Sequence, residues 1–224
     1  MKLQKENFPL SVKDYLVTHE EFTLIFNSEK EMLLTDPQPT TNQLYKYYES
    51  DDYISHTDSN KGITSFLYQI IKKIALQNKL NLIISLKKDA SNVLDIGAGT
   101  GDFLKYIKSK NRTVFGIEPN QKARELAFKK GINLEESIAN LKGKTFDVIT
   151  LWHVLEHVPN LEITIQKIEE LLSTNGVLII AVPNFNSFDA AFYKNYWAAF
   201  DVPRHLWHFS RNTMKNLFSD KLIL

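Results

Sequence analysis

The chain has 224 residues, which is enough for one domain with an appendage and a sizeable apolar core. Its 27 Lys and Arg residues nearly cancel its 26 Asp and Glu residues, so we expect no general electrostatic attraction to nucleic acid. No cysteine is present, which excludes disulfides, thiolate metal sites and thiol redox chemistry.

The start of the chain, Met1 to Val12, is polar and lacks the continuous apolar stretch of a signal peptide. No run of about 18 apolar residues occurs, so we expect no membrane-spanning segment. These features predict a cytoplasmic protein with no membrane partner.

Residues 1–40 predict a small β-rich lobe, and residues 41–90 predict a helical, tyrosine-rich cap. In the cap, Ile63 to Leu86 has the pattern of an amphipathic helix with its lysine face in solvent. The alternative for this helix is a position on a membrane surface. The apolar residues that indicate the lobe are Tyr15, Phe22, Leu24, Phe26 and Leu33.

Residues 91–224 predict the main domain, which opens with a glycine-rich turn between a strand and a helix. Val93, Leu94 and Ile96 indicate a buried parallel strand. Asp95–Gly101, DIGAGTG, then places three glycines in the turn, and a helical pattern follows. Because glycine adopts backbone angles that other residues avoid, this turn lets the main chain approach a nucleotide-like ligand closely.

Dinucleotide-binding folds use GxGxxG at this turn, with a pyrophosphate at the helix N-terminus. Here the third glycine comes one position early, at Gly101, and Asp102 would repel a pyrophosphate. A dinucleotide-dependent oxidoreductase is therefore disfavoured. The pattern DxGxGxG resembles motif I of the class I S-adenosylmethionine (SAM)-dependent methyltransferases, which implies SAM as cofactor and S-adenosylhomocysteine as product.

A second predicted strand, Val114–Glu118, ends in an acid about twenty residues after the glycine turn. A carboxylate at this place can accept two hydrogen bonds from the hydroxyls of a ribose. A solvated charge at a strand end is the alternative. The coupling to the glycine turn favours ribose binding by Glu118.

Later elements extend the resemblance. The predicted strand Phe146–Leu151 is followed by LEHV at Leu155–Val158, as in similar methyltransferases. A helix from Leu161 is predicted to end at Gly176 in the left-handed conformation, and the strand Val177–Asn184 follows. The order βαβαβαβαβ predicts an α/β fold with a doubly wound, mainly parallel, Rossmann-like sheet.

Pro203–Ser210, PRHLWHFS, resembles a segment of bacterial small-molecule methyltransferases of this class. The resemblance implies methyl transfer from SAM to an O, N or C atom of a small-molecule acceptor. Its expected cofactor-binding residues are Asp95, Gly97, Ala98, Gly99, Gly101, Glu118, Pro119, Ser137, Ile138, Leu151, Trp152, His153 and Tyr53. Its expected substrate-binding residues are Tyr48, His157, Tyr196, Trp197, Arg204 and His208.

Histidines are the acid–base candidates, because a neutral imidazole near its working pKa can remove a proton from an acceptor. His153, at a strand end, is the first choice for a catalytic base and His205 the second. Arg204 could clamp an anionic acceptor. His153 and His157 could bind a metal if they lay on one helix, but the nearby Glu156 and the family pattern argue against it, and we expect no metal.

Two aromatic segments leave alternatives open. Residues 185–200 either wall a pocket for a flat or apolar acceptor or form a core helix with an aromatic stripe. Tyr48, Tyr53 and His56 are candidates for a lid over the cofactor, and the alternative is that the tyrosines cover the sheet edge.

Relatives of this group carry a zinc ribbon with paired CxxC motifs in the N-terminal lobe. Here Asn27 and Lys30 stand where one pair would lie, and an ammonium cannot ligate zinc, so we expect a metal-free lobe.

This fold normally ends with a sixth strand and an antiparallel seventh. Arg211–Ser219 predicts a helix and Lys221–Leu224 only begins a strand. We therefore expect an incomplete C-terminal strand pair, which implies either a longer natural protein or a homodimer formed through the exposed edge. It also leaves a second hypothesis, a SAM-binding assembly protein without catalysis, which turnover assays would distinguish.

Overall fold

A computed structural model describes residues 2–48, 63–218 and 222. Among these residues, no helix is long and apolar enough to cross a membrane. The strands are β1 (Leu10–Lys13), β2 (Glu21–Asn27), β3 (Met32–Asp36), β4 (Asn92–Ile96), β5 (Thr113–Ile117), β6 (Phe146–Trp152), β7 (Leu172–Ala181) and β8 (Trp207–His208). The α-helices are α1 (Thr41–Leu44), α2 (Ile63–Leu86), α3 (Asp102–Lys108), α4 (Gln121–Lys129), α5 (Leu161–Leu171), α6 (Phe188–Tyr193) and α7 (Arg211–Asn216).

The chain divides into two compact units. The discontinuous unit consists of Met1–Asp58, Leu155–Leu161 and Val182–Leu224. The parallel-sheet unit consists of Ser59–Val154 and Glu162–Ala181.

The parallel-sheet unit contains the predicted α/β fold. Its strands lie in the order β5-β4-β6-β7 and are all parallel, with Asp95 opposite both Gly116 and Thr150. Val93 and Leu94 are fully buried, as expected for a strand in the interior of a sheet covered on both faces. Because the strands are parallel, all of their carboxyl ends lie at one edge, where ligands bind in this class of fold.

The opposite edge of this sheet is fixed by Asp147. Its Oδ2 accepts hydrogen bonds from Ser91 N, Ser91 Oγ and Asn92 N at 2.8, 2.9 and 2.9 Å. One carboxylate at the beginning of β6 therefore holds the beginning of β4.

The parallel sheet has fewer strands than the five that the sequence predicts. In the described residues the parallel sheet has four strands, and the segment after α4 contributes only an isolated bridge between Glu135 and Ile117. Glu135 N donates to Gly116 O, and Glu118 N donates to Glu135 O. Ser137 then caps a 3₁₀ helix, Ile138–Leu141, which ends the pairing.

The predicted left-handed helix end at Gly176 is wrong. Helix α5 ends at Leu171, and β7 already includes Gly176. A Cβ at Gly176 would lie 2.8 Å from Leu172 Cδ1 and 3.0 Å from Phe146 O, so this glycine permits close packing at the beginning of the strands.

The discontinuous unit contains an antiparallel sheet in the order β1-β2-β3-β8. Strands β1 to β3 form the predicted β-rich N-terminal lobe, and β8 comes from the PRHLWHFS segment, with Trp207 opposite Leu34. The β2–β3 turn is closed by Asn27 Oδ1, which accepts from Lys30 N at 2.9 Å. The buried core of this unit consists of Val12, Phe22, Leu24, Leu33, Tyr47, Phe185, Phe200 and Val202.

The C-terminal helix is shorter than expected. Helix α7 covers Arg211–Asn216 of the predicted Arg211–Ser219, and its N-terminus is capped by Ser210 Oγ, which accepts from Thr213 N. Three of the four residues of the predicted strand beginning, 221, 223 and 224, lie outside the described residues.

Candidate cofactor and substrate site

The three glycines after β4 all have positive φ angles, but the space around each of them is different. A Cβ at Gly97 (φ 72°) would lie 2.3 Å from Val154 Cγ2, so this glycine accommodates the chain that follows β6. A Cβ at Gly101 (φ 73°) would lie 3.0 Å from Ala127 Cβ on α4. A Cβ at Gly99 (φ 53°) would meet no protein atom within 4 Å. The loop is therefore packed at both ends and open in the middle.

The end of β5 holds this glycine loop through hydrogen bonds. Glu118 Oε2 accepts from Gly99 N at 2.8 Å, and its Oε1 accepts from Asn120 N at 2.9 Å. Ala98 N donates to Ile117 O at 2.9 Å. Glu118 is thus placed beside the open part of the loop, and its carboxylate retains lone pairs for further donors.

Below the loop, Asp95 is a buried acid on β4. Thr150 Oγ1 on β6 donates to Asp95 Oδ1 at 2.6 Å. Burial raises the pKa of Asp95 to about 7, although the Thr150 hydrogen bond and the charge of Lys79 act in the opposite direction. The carboxyl group therefore changes charge near neutral pH.

Lys79 on α2 packs against aromatic rings of the parallel-sheet unit. This differs from the prediction that the lysine face of the helix lies in solvent. Its Nζ lies 4.4 Å from the centroid of the Trp152 ring and 5.3 Å from that of Phe103. Burial lowers the pKa of Lys79, and the charge of Asp95 partly offsets this effect. No motif in the sequence distinguishes Lys79 from the other lysines of the helix.

Asp102, at the beginning of α3, is paired with two lysines. Lys72 Nζ lies 2.7 Å from Oδ2, and Lys130 Nζ lies 2.9 Å from Oδ1. Its charge is therefore balanced locally, so the expectation that it repels a pyrophosphate is weakened. The sequence could not show this, because both lysines come from distant elements.

Most of the expected cofactor residues of the parallel-sheet unit lie at the carboxyl ends of its strands. Leu151 and Trp152 end β6, and the pairing of Glu135 with β5 brings the Ser137–Ile138 turn close to Glu118. Tyr53 and His56 lie outside the described residues. The expected residues at this edge are Asp95, Gly97, Ala98, Gly99, Gly101, Glu118, Pro119, Ser137, Ile138, Leu151, Trp152 and His153.

His153 has an unusual backbone conformation directly after β6. It is exposed and has a φ of 57°, a left-handed angle that is uncommon outside glycine. Its N–H donates to Ala181 O at 2.9 Å, and the next residue, Val154, contacts Gly97. The strained conformation is thus held next to the glycine loop, and strain of this kind clusters at functional sites. Because of this angle, His153 and His157 do not share a helix as the metal alternative required.

The remaining histidine candidates lie in the discontinuous unit. His205 is 8% exposed, and its Nδ1 lies 3.0 Å from Ala199 O. Burial, followed by the neighbouring His157, lowers the pKa of His205 to about 4. His208 is also buried, and its Nε2 contacts Thr35 Oγ1 at 3.0 Å.

Arg204 is buried in the same unit by an ionic network. Its Nη2 lies 2.9 Å from Asp14 Oδ1 and 2.6 Å from Asp201 Oδ1, and its Nη1 donates to Tyr47 O at 3.1 Å. Arg204 is 1% exposed. This arrangement favours a structural role over the predicted clamp on an anionic acceptor.

The aromatic segment is divided between core and surface. Phe185 and Phe200 are buried, Trp197 packs against the core of the discontinuous unit, and Tyr196 is 68% exposed. Tyr48 contacts His157, with its hydroxyl 3.1 Å from Nδ1. The segment is therefore not one core helix with an aromatic stripe, and a wall for an acceptor pocket stays a prediction. The other aromatic residues of the segment that are more than half exposed are Phe188, Phe192 and Tyr193.

Comparison with known proteins identifies the family. The profile of the methyltransferase domain matches residues 67–221. An uncharacterized methyltransferase from Anoxybacillus flavithermus is 31% identical over 118 residues, which are 50% of this chain and 55% of that protein. A ubiquinone biosynthesis O-methyltransferase from Actinobacillus pleuropneumoniae is 32% identical over 123 residues, 49% of this chain and 50% of that protein. The chain spans about half the length of the curated relatives it matches.

Among solved structures, the plantazolicin methyltransferase BpumL in complex with S-adenosylhomocysteine has a TM-score of 0.56 at 19% identity. The match covers 76% of this chain and 70% of that one. At this identity the similarity establishes a shared fold.

Proposed function

The chain belongs to the methyltransferase domain family, and from this premise we propose that it transfers a methyl group from SAM to an O, N or C atom of a small-molecule acceptor. The observation that carries the proposal is the glycine loop, open at Gly99, held by Glu118 and bordered by the turn that carries His153. All three features belong to the parallel-sheet unit.

The residues of this edge fit SAM. The space at Gly99, which no protein atom fills, suits a ligand that passes close to the backbone. Glu118 would accept hydrogen bonds from the ribose hydroxyls, and the Ser137–Ile138 turn would border the adenine. When bound, SAM supplies an electrophilic methyl group on a sulfonium. Asp95, with its pKa near 7, lies beneath the part of the loop that would receive the amino acid end.

In this proposal His153 removes the proton from a hydroxyl, amine or carbon acid of the acceptor. A neutral imidazole, in which one ring nitrogen is unprotonated, is suited to this step near neutral pH. The backbone hydrogen bond to Ala181 and the contact of Val154 with Gly97 hold His153 in place. A fixed orientation of this base toward the acceptor would contribute to the rate as well. The small-molecule acceptor is supported by the ubiquinone biosynthesis O-methyltransferases among the relatives.

The deciding experiment is turnover. Purified protein is incubated with methyl-labelled SAM and a panel of phenols, sugars, amines and carbon acids, and transfer of the label is followed by mass spectrometry. Transfer to at least one acceptor, lost in Gly99→Val, supports the proposal. Stoichiometric SAM binding without transfer to any class would favour the SAM-binding assembly protein, and absence of SAM binding would contradict both.

A further inference from the structure

Three side chains of the discontinuous unit come together in a small cluster. Glu156 and His157 lie in the 3₁₀ turn Leu155–His157, and His205 lies shortly before β8. One coordinating atom from each residue lies within 4.8 Å of the other two. Leu206 N donates to Glu156 O at 2.8 Å, so the backbones of the two segments are joined directly. Glu156 is 1% exposed.

Both imidazoles contact a backbone carbonyl oxygen through the same ring nitrogen, Nδ1. His157 Nδ1 lies 3.0 Å from Arg204 O, and His205 Nδ1 lies 3.0 Å from Ala199 O. A carbonyl oxygen only accepts, so we assign the proton to each Nδ1 and the lone pair to each Nε2. The Tyr48 hydroxyl, 3.1 Å from His157 Nδ1, then acts as a second acceptor for that proton. Metal-bound histidines are typically held in this way, with one ring nitrogen donating to a carbonyl or carboxylate and the other on the metal.

The charges around the cluster also suit a cation. Asp201 Oδ2 lies 3.9 Å from His205 Nε2, so a further carboxylate faces the cluster. Arg204, whose charge acts on His157, is paired with Asp14 and Asp201, which balance that charge.

We propose that Glu156, His157 and His205 form a binding site for one divalent metal ion of the zinc class. Two imidazoles and one carboxylate favour Zn²⁺, Co²⁺ or Ni²⁺ over Mg²⁺, which prefers oxygen ligands. With metal–ligand bonds of about 2.1 Å, tetrahedral ligands lie about 3.4 Å apart. The three atoms, which lie within 4.8 Å of one another, would therefore move closer together on binding. Three protein ligands leave a fourth position for water or a ligand atom.

The test uses the full chain after removal of metals with a chelator. Calorimetric titration with Zn²⁺ should show one saturable site, and titration with Co²⁺ should produce ligand-field absorption typical of four- or five-coordinate nitrogen and oxygen ligation. Zn²⁺ should raise the melting temperature in a concentration-dependent way, because it binds only the folded state, whereas Mg²⁺ should not.

Two variants and one control assign the site. Loss of second-shell partners weakens metal binding by about 10- to 100-fold, so removal of a direct ligand in His205→Gln or His157→Gln should cost at least about 100-fold. His19→Gln, which changes an exposed histidine outside the cluster, should bind as the parent does. Unchanged binding in both ligand variants would overturn the proposal.

If neither ligand variant folds, the metal titrations of the parent protein test the proposal. The absence of a one-to-one Zn²⁺ site, or a Co²⁺ spectrum of an octahedral, all-oxygen type, overturns the proposal. Because SAM binding is not part of the argument, failure here leaves the proposed transferase activity untouched.

Discussion

Val154 packs so closely over Gly97 that any side chain at residue 97 would collide with it. The contact joins the chain after β6 to the loop after β4, the two segments that carry His153 and the proposed cofactor-binding glycines. The contact between a valine and a residue without a side chain therefore links the position of the proposed base to that of the proposed cofactor loop.

Gly99→Val should abolish SAM binding, because its side chain would enter the open space at the middle of the loop and its φ of 53° is unfavourable for valine. Gly143→Val is the matched control, since Gly143 also has a positive φ, 80°, and open space around it. Isothermal titration with SAM measures both. Equal loss of affinity in the two variants would show that backbone strain, not the loop, is responsible.

Glu118→Gln should weaken SAM binding by about 1.5–3 kcal/mol, the range for a hydrogen bond to a charged group. Both its role in holding Gly99 N and its proposed bonds to the ribose depend on the carboxylate. Glu125→Gln, on helix α4, changes the same charge away from the loop and should bind normally. An affinity for SAM in Glu118→Gln equal to that of the parent would exclude the ribose role.

His153→Ala should reduce turnover by about 10²–10⁴-fold if the imidazole is the general base, with SAM affinity nearly unchanged. The acidic limb of the rate profile against pH should disappear in this variant, which a purely structural effect would not produce. His19→Ala serves as the control. Full activity of His153→Ala would leave catalysis to orientation alone.

Asp95 should make the cofactor-free protein less stable as pH rises from about 4 to about 7. Burial raises its pKa from 3.8 to about 7, so in this window the unfolded chain releases the proton while the folded chain retains it. The total effect is of the order of 4 kcal/mol, reached above pH 7. Asp95→Asn keeps an acceptor for Thr150 and removes the titrating group. The difference in the free energy of unfolding between parent and variant, measured by urea denaturation, should therefore follow this slope, because the lowered pKa of His205 affects both proteins alike. A parallel slope in parent and variant would contradict the raised pKa.

Asp14→Ala should lower the free energy of unfolding by about 3–5 kcal/mol, because it leaves the Arg204 guanidinium buried with one carboxylate fewer. Asp89→Ala removes a partner of Lys87 that is 79% exposed and should cost at most about 1 kcal/mol. Chemical denaturation compares the two. Losses of similar size would mean that the buried network contributes no more than a surface pair.

The local parts of this fold could be predicted from sequence. The strand β4, the glycine turn and the helix after it depend on neighbouring residues, and α2 has the predicted bounds, Ile63–Leu86. The family match and the parallel sheet confirm the predicted class. Such features follow from hydrophobic periodicity and from the conformational demands of glycine.

The rest depends on contacts between distant residues. The pattern of Ile63–Leu86 predicts a lysine face in solvent, but Lys72 pairs with Asp102 and Lys79 covers Trp152. A glycine after a helical pattern commonly ends the helix, which is the basis of the prediction for Gly176, whereas its packing partner Phe146 lies in another strand. The pairing of Trp207 with Leu34 likewise joins opposite ends of the chain. Periodicity within a segment carries no information on these partners.

The carboxylate of Asp147 fixes the register between the two strands that lead to the candidate site. By holding Ser91 and Asn92, it sets the common origin from which β4 and β6 run to the opposite edge of the sheet. Each residue advances about 3.3 Å along a strand, so a slip of one residue at this origin would displace His153 by that distance from Gly97 and reverse the faces of the strand. The register that separates the proposed base from the proposed cofactor loop thus depends in part on the far side of the sheet, where no ligand is expected to bind.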